Sequence, residues 1–246
     1  MNRPYTKSEI KQFWVGLMDG EGSVQVNHWK KKNLQYRLTI KLKFTEANIN
    51  MLQLIKENIG GRAWVSQGKW AIWAVDDRNY VQEIMKIYDE YPPITTRVEL
   101  QLKFLKNCLA GTTVDMYLCQ RDLKYADQAT MARERNERKF EEPNYFNIWL
   151  AGFTEAEACF STTASTGLRY NISQKTDKYI LQAIKEKFKF TSNVRESSPD
   201  FFVVETGAKE PLGRVLTHFE AWPLLGEKSV SFSKFSMMYK AKHKLS

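Results

Sequence analysis

One stretch of this chain occurs twice, first as Phe13-Trp14-Val15-Gly16-Leu17-Met18-Asp19-Gly20-Glu21-Gly22-Ser23-Val24 and again as Trp149-Leu150-Ala151-Gly152-Phe153-Thr154-Glu155-Ala156-Glu157-Ala158-Cys159-Phe160. In each copy a glycine stands five residues before a glutamate, and both pairs are 136 residues apart. Apolar residues at helical spacing lead into each copy, and alternating apolar and polar residues follow it. Each copy is therefore predicted to be the end of a helix that turns into a strand. The two glutamates at these helix ends are Glu21 and Glu157.

Later segments repeat in the same order. Leu52-Gln53-Leu54-Ile55-Lys56-Glu57 is echoed 129 residues later by Leu181-Gln182-Ala183-Ile184-Lys185-Glu186, and Tyr91-Pro92-Pro93-Ile94 is echoed 131 residues later by Trp222-Pro223-Leu224-Leu225. Ordered self-similarity of this kind indicates a duplication followed by changes in loop length. We divide the chain into an N-terminal repeat (residues 1–108), a polar linker with some helical character (109–142) and a C-terminal repeat (143–246).

Both repeats have the same predicted order of elements. Thr6 and Glu9 form a capping box at the start of the first helix, and Pro143 is a suitable first residue for the corresponding helix of the second repeat. Strands with one apolar and one polar face come next, then a short helix, two more strands and further helical segments. The sequence predicts a mixed α/β (α+β) fold, a pseudo-twofold duplication of an αββαββα unit with two antiparallel sheets.

The charge balance favours a polyanionic partner. Among 246 residues, 37 Lys+Arg stand against 28 Asp+Glu, which gives a net charge of +9 and is typical of nucleic-acid-binding proteins. A membrane is not expected, because the longest apolar run is short (71–75) and Met1–Ile10 has no signal-peptide pattern.

Cysteine and histidine give no sign of a metal or disulfide framework. The three cysteines form no CxxC pair, which indicates a reducing compartment, and the three histidines lie far apart in the sequence. The chemistry is therefore expected to depend on carboxylates, lysines and a hard metal ion.

Gly16 and Gly152 suggest how the two glutamates come together. A glycine inside a helix costs about 1 kcal/mol relative to alanine, but small residues at one shared position allow two helices to pack closely. Two such helices side by side bring Glu21 and Glu157 next to each other. Neighbouring carboxylates repel unless a cation lies between them, and oxygen ligands suit Mg²⁺ or a similar hard ion.

These doubled motifs resemble those of the LAGLIDADG homing endonucleases, and the two-repeat layout is similar to that of the single-chain members. The resemblance covers nearly the whole chain. It implies that the motif helices form the interface between the two halves, and that the sheets form a DNA-binding saddle. It also implies that Glu21 and Glu157 bind divalent metal with help from the Gly20 and Ala156 carbonyls. The implied ion is Mg²⁺ or Mn²⁺, with Ca²⁺ binding without supporting cleavage.

The same resemblance implies a Gln or Lys at the end of the second strand and a Lys before the last helix of each half. Gln174 and Lys228 match these positions in the second half. In the first half the lysine position falls on Arg97, and the strand-end position falls on Thr45 or Glu46, of which we favour Glu46. Two departures stand out, because Ala158 replaces the usual glycine after the second glutamate and Glu155 replaces the usual aspartate.

The polar strand faces are predicted to read base edges in the major groove. In the first half these side chains are Ser23, Gln25, Asn27, Trp29, Lys31, Gln35, Arg37, Thr39, Lys41, Lys43, Arg62, Trp64 and Ser66. In the second half they are Ser161, Thr163, Arg169, Asn171, Asn193, Arg195 and Ser197. Lys30 to Lys32, Lys124 and Arg133 to Lys139 are predicted to contact phosphates. Each half would cover roughly one helical turn, about 10 base pairs.

The expected function is that of a monomeric, site-specific double-strand DNA endonuclease that hydrolyses one phosphodiester in each strand of a long, nearly asymmetric target. Two alternatives remain open: a maturase that binds its own intron RNA, and a non-catalytic DNA-binding protein on the same fold. Ala158 favours the alternatives, whereas the retained acids and Lys228 favour the enzyme. The resemblance also implies a gene in an organellar intron, with a mitochondrion expected before a chloroplast.

Overall fold

The computed structural model describes residues 4–163 and 167–244. The first half contains α1 (Lys7–Gly20), β1 (Gly22–Trp29), β2 (Asn33–Lys43), α2 (Glu46–Ile59), β3 (Arg62–Ser66), β4 (Trp70–Val75), α3 (Arg78–Glu90) and α4 (Thr96–Leu109). The linker contains α5 (Val114–Gln120), a 3-10 turn (Arg121–Leu123) and α6 (Gln128–Asn136). The second half contains α7 (Phe146–Glu157), β5 (Ala158–Thr163), β6 (Gly167–Lys175), α8 (Lys178–Phe188), β7 (Arg195–Ser198), β8 (Phe201–Thr206), α9 (Lys209–Ala221) and α10 (Glu227–His243).

The predicted duplication is confirmed by the two sheets. Their strand orders are β1-β2-β4-β3 and β5-β6-β8-β7, and all neighbouring strands are antiparallel. The registers also correspond, because Gly22 pairs with Ile40 and Ala158 pairs with Ile172. Each half follows the αββαββα order and adds a closing helix, α4 or α10. The fold is thus α+β with two equivalent units.

The start of each motif helix shows one confirmed prediction and one error. The Thr6 side chain accepts from the Glu9 backbone N–H and the Glu9 side chain accepts from the Thr6 N–H, so the capping box is present. In the second half, α7 begins at Phe146 instead of Pro143. Pro143 precedes the helix, and its carbonyl accepts from the Phe146 N–H at 2.9 Å.

Each sheet buries its apolar face against helices. On β2 the side chains of Tyr36, Leu38 and Ile40 are buried, as the alternation predicted. No helix in the described ranges combines the length and hydropathy needed to cross a membrane.

The linker packs against the first half of the protein. The Tyr117 hydroxyl on α5 donates to the Val26 carbonyl of the edge strand β1 at 2.9 Å. Gln101 on α4 donates from its side chain to the Tyr125 hydroxyl at 2.8 Å. At the far end, the Asn136 side chain accepts from the Tyr179 backbone N–H of α8 at 2.8 Å. The linker therefore connects the first half to the second along the outside of α4.

Candidate active site

Helices α1 and α7 meet at the centre of the molecule through their glycines. We call this contact between the two helices the seam. A Cβ on Gly16 would lie 1.9 Å from the Trp149 carbonyl oxygen, and a Cβ on Gly152 would lie 1.9 Å from the Phe13 carbonyl oxygen. Such distances exclude any side chain at either position, so the helices touch backbone to backbone. This arrangement confirms the prediction that the shared glycines allow close helix packing.

The two glutamates lie side by side where these helices end. Glu21 caps the end of α1 and Glu157 is the last residue of α7. Burial raises the pKa of both carboxyl groups, and the neighbouring Glu21 charge helps raise that of Glu157 to about 7, while Arg97 and Lys228 act in the opposite direction. A shared site of two carboxylates with two basic residues nearby is the arrangement that the sequence predicted.

A second pair of acids, Asp19 and Glu155, holds the closing helices in place. Asp19 is buried and accepts from the backbone N–H groups of Ile94 (2.7 Å) and Thr95 (3.2 Å), and from the Trp149 indole across the seam (2.7 Å). Glu155 accepts from the N–H groups of Gly226 (2.7 Å) and Lys228 (3.1 Å). Burial raises the pKa of Asp19 to about 6 and that of Glu155 to about 7.

These anchors explain why the basic residues reach the glutamates. Asp19 and Glu155 fix the beginnings of α4 and α10 against the motif helices, and Arg97 and Lys228 lie in the first turns of those two helices. Asp19 was not among the predicted site residues, although it corresponds to Glu155 in the repeat. Glu155 is therefore an equivalent anchor with a longer side chain.

Contacts from the opposite half also hold the closing helices. Asp177 follows β6 and accepts from the backbone N–H (3.0 Å) and hydroxyl (2.7 Å) of Thr96 at the start of α4. Asn48 of α2 accepts through its side-chain oxygen from the Glu227 N–H at the start of α10 (2.9 Å). Each half therefore helps to position the basic residue of the other half.

Arg97 and Lys228 do not make equivalent contacts. The Arg97 guanidinium donates to the carbonyls of Gly22 (2.7 Å), Asp19 (2.8 Å) and Gly20 (2.8 Å), and also to that of Met18 (3.2 Å). It thereby neutralises the carbonyl end of α1, where the helix dipole is negative. The Lys228 ammonium has no hydrogen bond or ion pair to any residue within 4–163 and 167–244. The Gly20 carbonyl, predicted as a metal ligand, accepts from Arg97 in this structure.

The strand-end residue differs between the halves. Since Ile40 and Ile172 occupy equivalent register positions, the first-half counterpart of Gln174 is Leu42. Thr45 is the N-cap of α2 and accepts from the Asn48 N–H, while Glu46 is the exposed first residue of that helix. The predicted correspondence of Glu46, or Thr45, with Gln174 is therefore wrong. The error arose because the strand ends at Lys43, before either residue.

A cavity of about 470 Å³ opens beside the glutamates, and the linker forms part of its wall. Its lining includes Arg97, Glu157 and the buried Gln174, together with Tyr125 and Gln128 of the linker. The Gln128 side chain donates to the Thr96 hydroxyl at 3.2 Å. Nothing in the polar linker sequence signals these two residues, because their position depends on how the linker packs against α4.

The donor set at the seam suits a hard cation. In the ranges that the structure describes, no three His, Cys, Asp or Glu side chains form a cluster able to hold a metal ion. Two carboxylates and the backbone carbonyls at the ends of α1 and α7 are the oxygen donors present, and such oxygens match the preference of Mg²⁺ and Ca²⁺. Glu21 and Glu157 lie side by side, and because two neighbouring carboxylates repel each other, this placement favours a cation between them.

Ala158 imposes no strain at the turn after Glu157. Its backbone has φ −103° and ψ 163°, an extended conformation that any residue can adopt. In the first half, a Cβ on Gly22 would lie 2.5 Å from the Met18 Cα and 2.7 Å from the Met18 carbonyl oxygen, so there the neighbouring backbone leaves no room for a side chain. The departure at Ala158 therefore gives no reason to regard the site as defective.

Most of the side chains that were predicted to contact DNA lie together on the polar faces of the two sheets. On β1 and β2, direct neighbours across the strands are Ser23 with Thr39, Gln25 with Arg37 and Asn27 with Gln35. In the second sheet Ser161 is opposite Arg169, and Asn171 is opposite Glu205. Trp29, Lys41, Lys43, Arg62, Arg195 and Ser197 are exposed on these strands, and Trp64 and Ser66 are partly exposed. Both sheets thus present one polar face.

Several residues that were predicted to contact DNA do not lie on the polar strand faces. Lys31 lies in the β1–β2 turn with φ 56° instead of continuing the strand. Asn193 precedes β7, and its side-chain oxygen accepts from Lys185 at 2.7 Å. The side chain of Thr163 lies outside the described residues.

Among the predicted phosphate contacts, Arg135 is used inside the protein. It donates to the Ile94 carbonyl and to the Tyr179 hydroxyl, both at 3.1 Å, and forms an ion pair with Glu99. Its prediction as a phosphate contact is not supported, since these contacts join the linker to α4 and α8. Lys30, Lys32, Arg133 and Lys139 are exposed, and Lys124 is partly exposed.

Fold and site together define a class of protein: a single chain with two sheet-bearing repeats whose paired glutamates meet at the junction of the repeats. The sequence profile described as LAGLIDADG endonuclease matches residues 14–108 and 150–239. The chain belongs to the LAGLIDADG endonuclease family, in its two-repeat form. The family's description supports a DNA endonuclease, and the resemblance found in the sequence is confirmed.

Similar proteins agree with this assignment. A probable intron-encoded endonuclease aI3 of Dictyostelium citrinum is 42% identical over 242 residues, which cover 96% of this chain and 98% of that protein. The LAGLIDADG homing endonuclease I-LtrWI, solved bound to target DNA, superposes with a TM-score of 0.73 at 19% identity, covering 97% of this chain and 92% of that one. I-SmaMI, solved bound to an uncleaved DNA target in the presence of calcium ions, superposes with a TM-score of 0.69 at 17% identity. The match covers 95% of this chain and 92% of that one.

Proposed function

We propose that this protein is a site-specific homing endonuclease that cuts both strands of double-stranded DNA with a divalent metal. The observation that carries the proposal is the pair Glu21 and Glu157 at the α1–α7 junction, between two sheets that each present a polar, partly basic face. A protein that only binds DNA gains nothing from two neighbouring carboxylates that repel each other and the phosphate backbone. The positive net charge of +9 also suits this substrate.

Glu21 and Glu157 would hold the metal, with the Ala156 carbonyl and, once Arg97 releases it, the Gly20 carbonyl as further oxygen donors. A divalent ion bound there supplies a Lewis acid for the phosphate and lowers the pKa of a bound water. Mg²⁺ or Mn²⁺ fits a reaction of this kind, and Ca²⁺ would occupy the site without supporting cleavage. Calcium accompanies the uncleaved DNA target in the I-SmaMI structure.

The remaining side chains act on the phosphate and the water. The Lys228 ammonium, which makes no hydrogen bond or ion pair in the described ranges, is available to stabilise the negative charge that develops on the phosphate. The Gln174 amide, buried in the cavity wall, would orient the attacking water. Arg97 is the first-half counterpart of Lys228. It can stabilise the negative charge on the phosphate only if its guanidinium gives up some of its hydrogen bonds to the backbone carbonyls. Glu46 is no longer part of the proposed site.

The proposed target is long and at best an imperfect palindrome, because the two sheets carry different side chains at equivalent positions. Both recognition faces belong to one chain, so a monomer suffices. We also propose that the gene lies within an organellar intron, mitochondrial before chloroplast, in keeping with the intron-encoded relative.

The test uses DNA that carries the host gene's uninterrupted exon junction. Incubation of this DNA with the protein and Mg²⁺ should linearise it, and the same reaction with Ca²⁺ should give a bound but uncut complex. Glu21→Gln and Glu157→Gln should each abolish cutting and leave binding nearly unchanged. Glu220→Gln, on the distant helix α9, serves as the control and should cut normally.

Two results would reject the proposal. If both glutamine variants cut at the normal rate, the seam is not the active site. If the protein binds its intron RNA and never cuts the junction, the maturase alternative replaces the endonuclease.

A further inference from the structure

Two arginines and one carboxylate form an ion-paired group on the polar face of the first sheet. Arg62 on β3 lies 2.7 Å from the Asp76 carboxylate, and Arg37 on β2 lies 3.7 Å from the same carboxylate oxygen. Asp76 directly follows β4, the strand that runs between β2 and β3. All three side chains are well exposed on the face that the DNA would meet.

The second sheet contains the same kind of group. Arg169 on β6 lies 3.1 Å from the Glu205 carboxylate, and Arg195 on β7 lies 3.7 Å from the same oxygen. Glu205 belongs to β8, which again runs between the two strands that carry the arginines. We call these two groups the arginine triads.

The triads are not a simple copy of each other. Arg37 and Arg169 occupy equivalent positions, since both stand three residues before the equivalent residues Ile40 and Ile172. The carboxylates do not correspond, because Glu205 is equivalent to Ala74, two residues before Asp76. Two residues along a strand return to the same face. The same grouping therefore arises in each half from a different acidic position.

We propose that Asp76 and Glu205 are positioning residues that hold the paired arginines for recognition of guanine in the major groove, one triad for each half of the target. This inference rests on the proposed function, because it assumes DNA on these faces. A guanidinium fixed by a carboxylate keeps its planar fork in one orientation, which suits the two acceptors N7 and O6 of guanine.

The charges of the triads support base reading over phosphate binding. Each carboxylate cancels one of its two arginine charges, so a triad attracts phosphate less than the arginines alone would. A face built only for non-specific attraction would not contain these acids. Orientation of the arginines is the benefit that offsets the lost attraction.

The test compares base preference, because the loss of a charge alone changes the affinity for all DNA sequences alike and leaves the base preference unchanged. The wild type, Asp76→Asn and Glu205→Gln each select binding sites from a library of randomised double-stranded DNA. Asp89→Asn and Glu220→Gln are matched controls, since each removes a carboxylate that pairs with one lysine on a helix. Arg37→Lys and Arg169→Lys keep the charge and remove the planar fork.

The expected result is a loss of base discrimination that is confined to guanine positions of the DNA target. Asp76→Asn and Arg37→Lys should both weaken discrimination at the same guanine of one half-site by about fivefold or more. Glu205→Gln and Arg169→Lys should do so in the other half-site. Affinity for unrelated DNA should rise in Asp76→Asn and Glu205→Gln, which lose a negative charge on the polar sheet faces, and less in the controls, whose carboxylates lie on helices α3 and α9.

Other outcomes overturn the inference. Unchanged base preferences in Asp76→Asn and Glu205→Gln, or losses at A·T positions, mean that the triads are ordinary surface ion pairs. If Asp76→Asn or Glu205→Gln is unfolded by circular dichroism, the lysine variants decide the question by the same criterion. A wild type that selects no sequence at all would reject the proposed function, and the inference with it.

Discussion

Gly16 and Gly152 oppose each other across the seam between α1 and α7, and each is overlain by the backbone of the other helix. The distances from their added Cβ atoms to the opposite carbonyl oxygens, of Trp149 and Phe13, are both 1.9 Å. Real Cβ atoms do not approach oxygen so closely. The two glycines therefore set the helix separation, and through it the distance between Glu21 and Glu157.

Replacing Gly16 or Gly152 with alanine is expected to destabilise the protein. Helix propensity alone would favour alanine by about 1 kcal/mol. Overpacking against a backbone that cannot move aside should outweigh this gain and lower the free energy of unfolding by about 2 kcal/mol or more. Urea denaturation measures the change, and DNA cleavage should fall because the glutamates move apart.

Gly213→Ala in α9 is the matched control. An added Cβ there would lie 2.8 Å from the Tyr239 hydroxyl, and no backbone atom of another helix in the described ranges lies within 4 Å of it, so the cost is limited to the one hydrogen bond that this hydroxyl donates to the Lys209 carbonyl. Its stability should stay within about 1 kcal/mol of the wild type. Equal losses in all three variants would contradict the role assigned to the seam.

The repeat made the fold predictable. Gly16 and Gly152 stood at one position in two copies, so close helix packing and paired glutamates followed from sequence alone. Alternation along β2 fixed which face is buried, and it placed Arg37 and Thr39 on the polar side. These features depend on local periodicity and on spacing within one repeat, which a sequence displays directly.

Features that depend on three-dimensional register were not predictable. The counterpart of Gln174 was misassigned to Glu46 because the end of β2 could not be located to within two residues. The Asp19 interaction with Ile94 and Thr95 joins residues about 75 positions apart. Tyr125 reaches the cavity only through the way the linker packs on α4. No spacing rule encodes such contacts.

Arg97 and Lys228 should respond differently to replacement with methionine. Arg97→Met removes the donor from three carbonyl groups at the end of α1 and from that of Gly22 at the start of β1, and should reduce stability by about 1.5–3 kcal/mol. Lys228→Met loses no hydrogen bond of the described residues, so its stability should change by about 0.5 kcal/mol or less. Thermal and urea denaturation distinguish the two.

Cleavage assays complete this comparison. Lys228→Met should slow the cutting of at least one strand strongly, so that nicked DNA accumulates from a supercoiled plasmid. Lys228→Arg is the matched control that retains charge. A large loss of stability in Lys228→Met, or unimpaired cutting of both strands, would show that the ammonium has another role.

Asp19→Ala is expected to weaken the attachment of α4 to the seam. It leaves the Ile94 and Thr95 N–H groups and the Trp149 indole without their acceptor in a buried site. Each buried unsatisfied donor costs about 1–3 kcal/mol, so the total loss should exceed about 3 kcal/mol. Asp19→Asn, which keeps an acceptor oxygen and the shape, should lose less. Equal losses in the two variants would mean that packing, and not hydrogen bonding, anchors the helix.

His218 should make stability depend on pH. It is buried among Phe188, Phe219 and Trp222, and burial lowers its pKa from 6.5 to about 3. Between these values the unfolded chain binds a proton that the folded protein does not, so this residue's contribution to stability falls as pH falls. The slope is about 1.4 kcal/mol per pH unit, or about 2 kcal/mol between pH 6.5 and pH 5.

The His218→Phe variant isolates this contribution from the opposite effect of Asp19 and Glu155, whose raised pKa values reduce stability as pH rises through roughly 4 to 7. Phenylalanine fits the aromatic surroundings and cannot take up a proton, while the buried carboxyl groups remain in both proteins. The difference in unfolding free energy between variant and wild type should therefore be constant above pH 7. Below pH 6.5 it should shift in favour of the variant by about 2 kcal/mol at pH 5. Urea denaturation at a series of pH values measures the difference. A difference that does not change between pH 5 and pH 7.5 would mean that His218 takes up its proton equally in the folded and unfolded states, which its burial makes unfavourable.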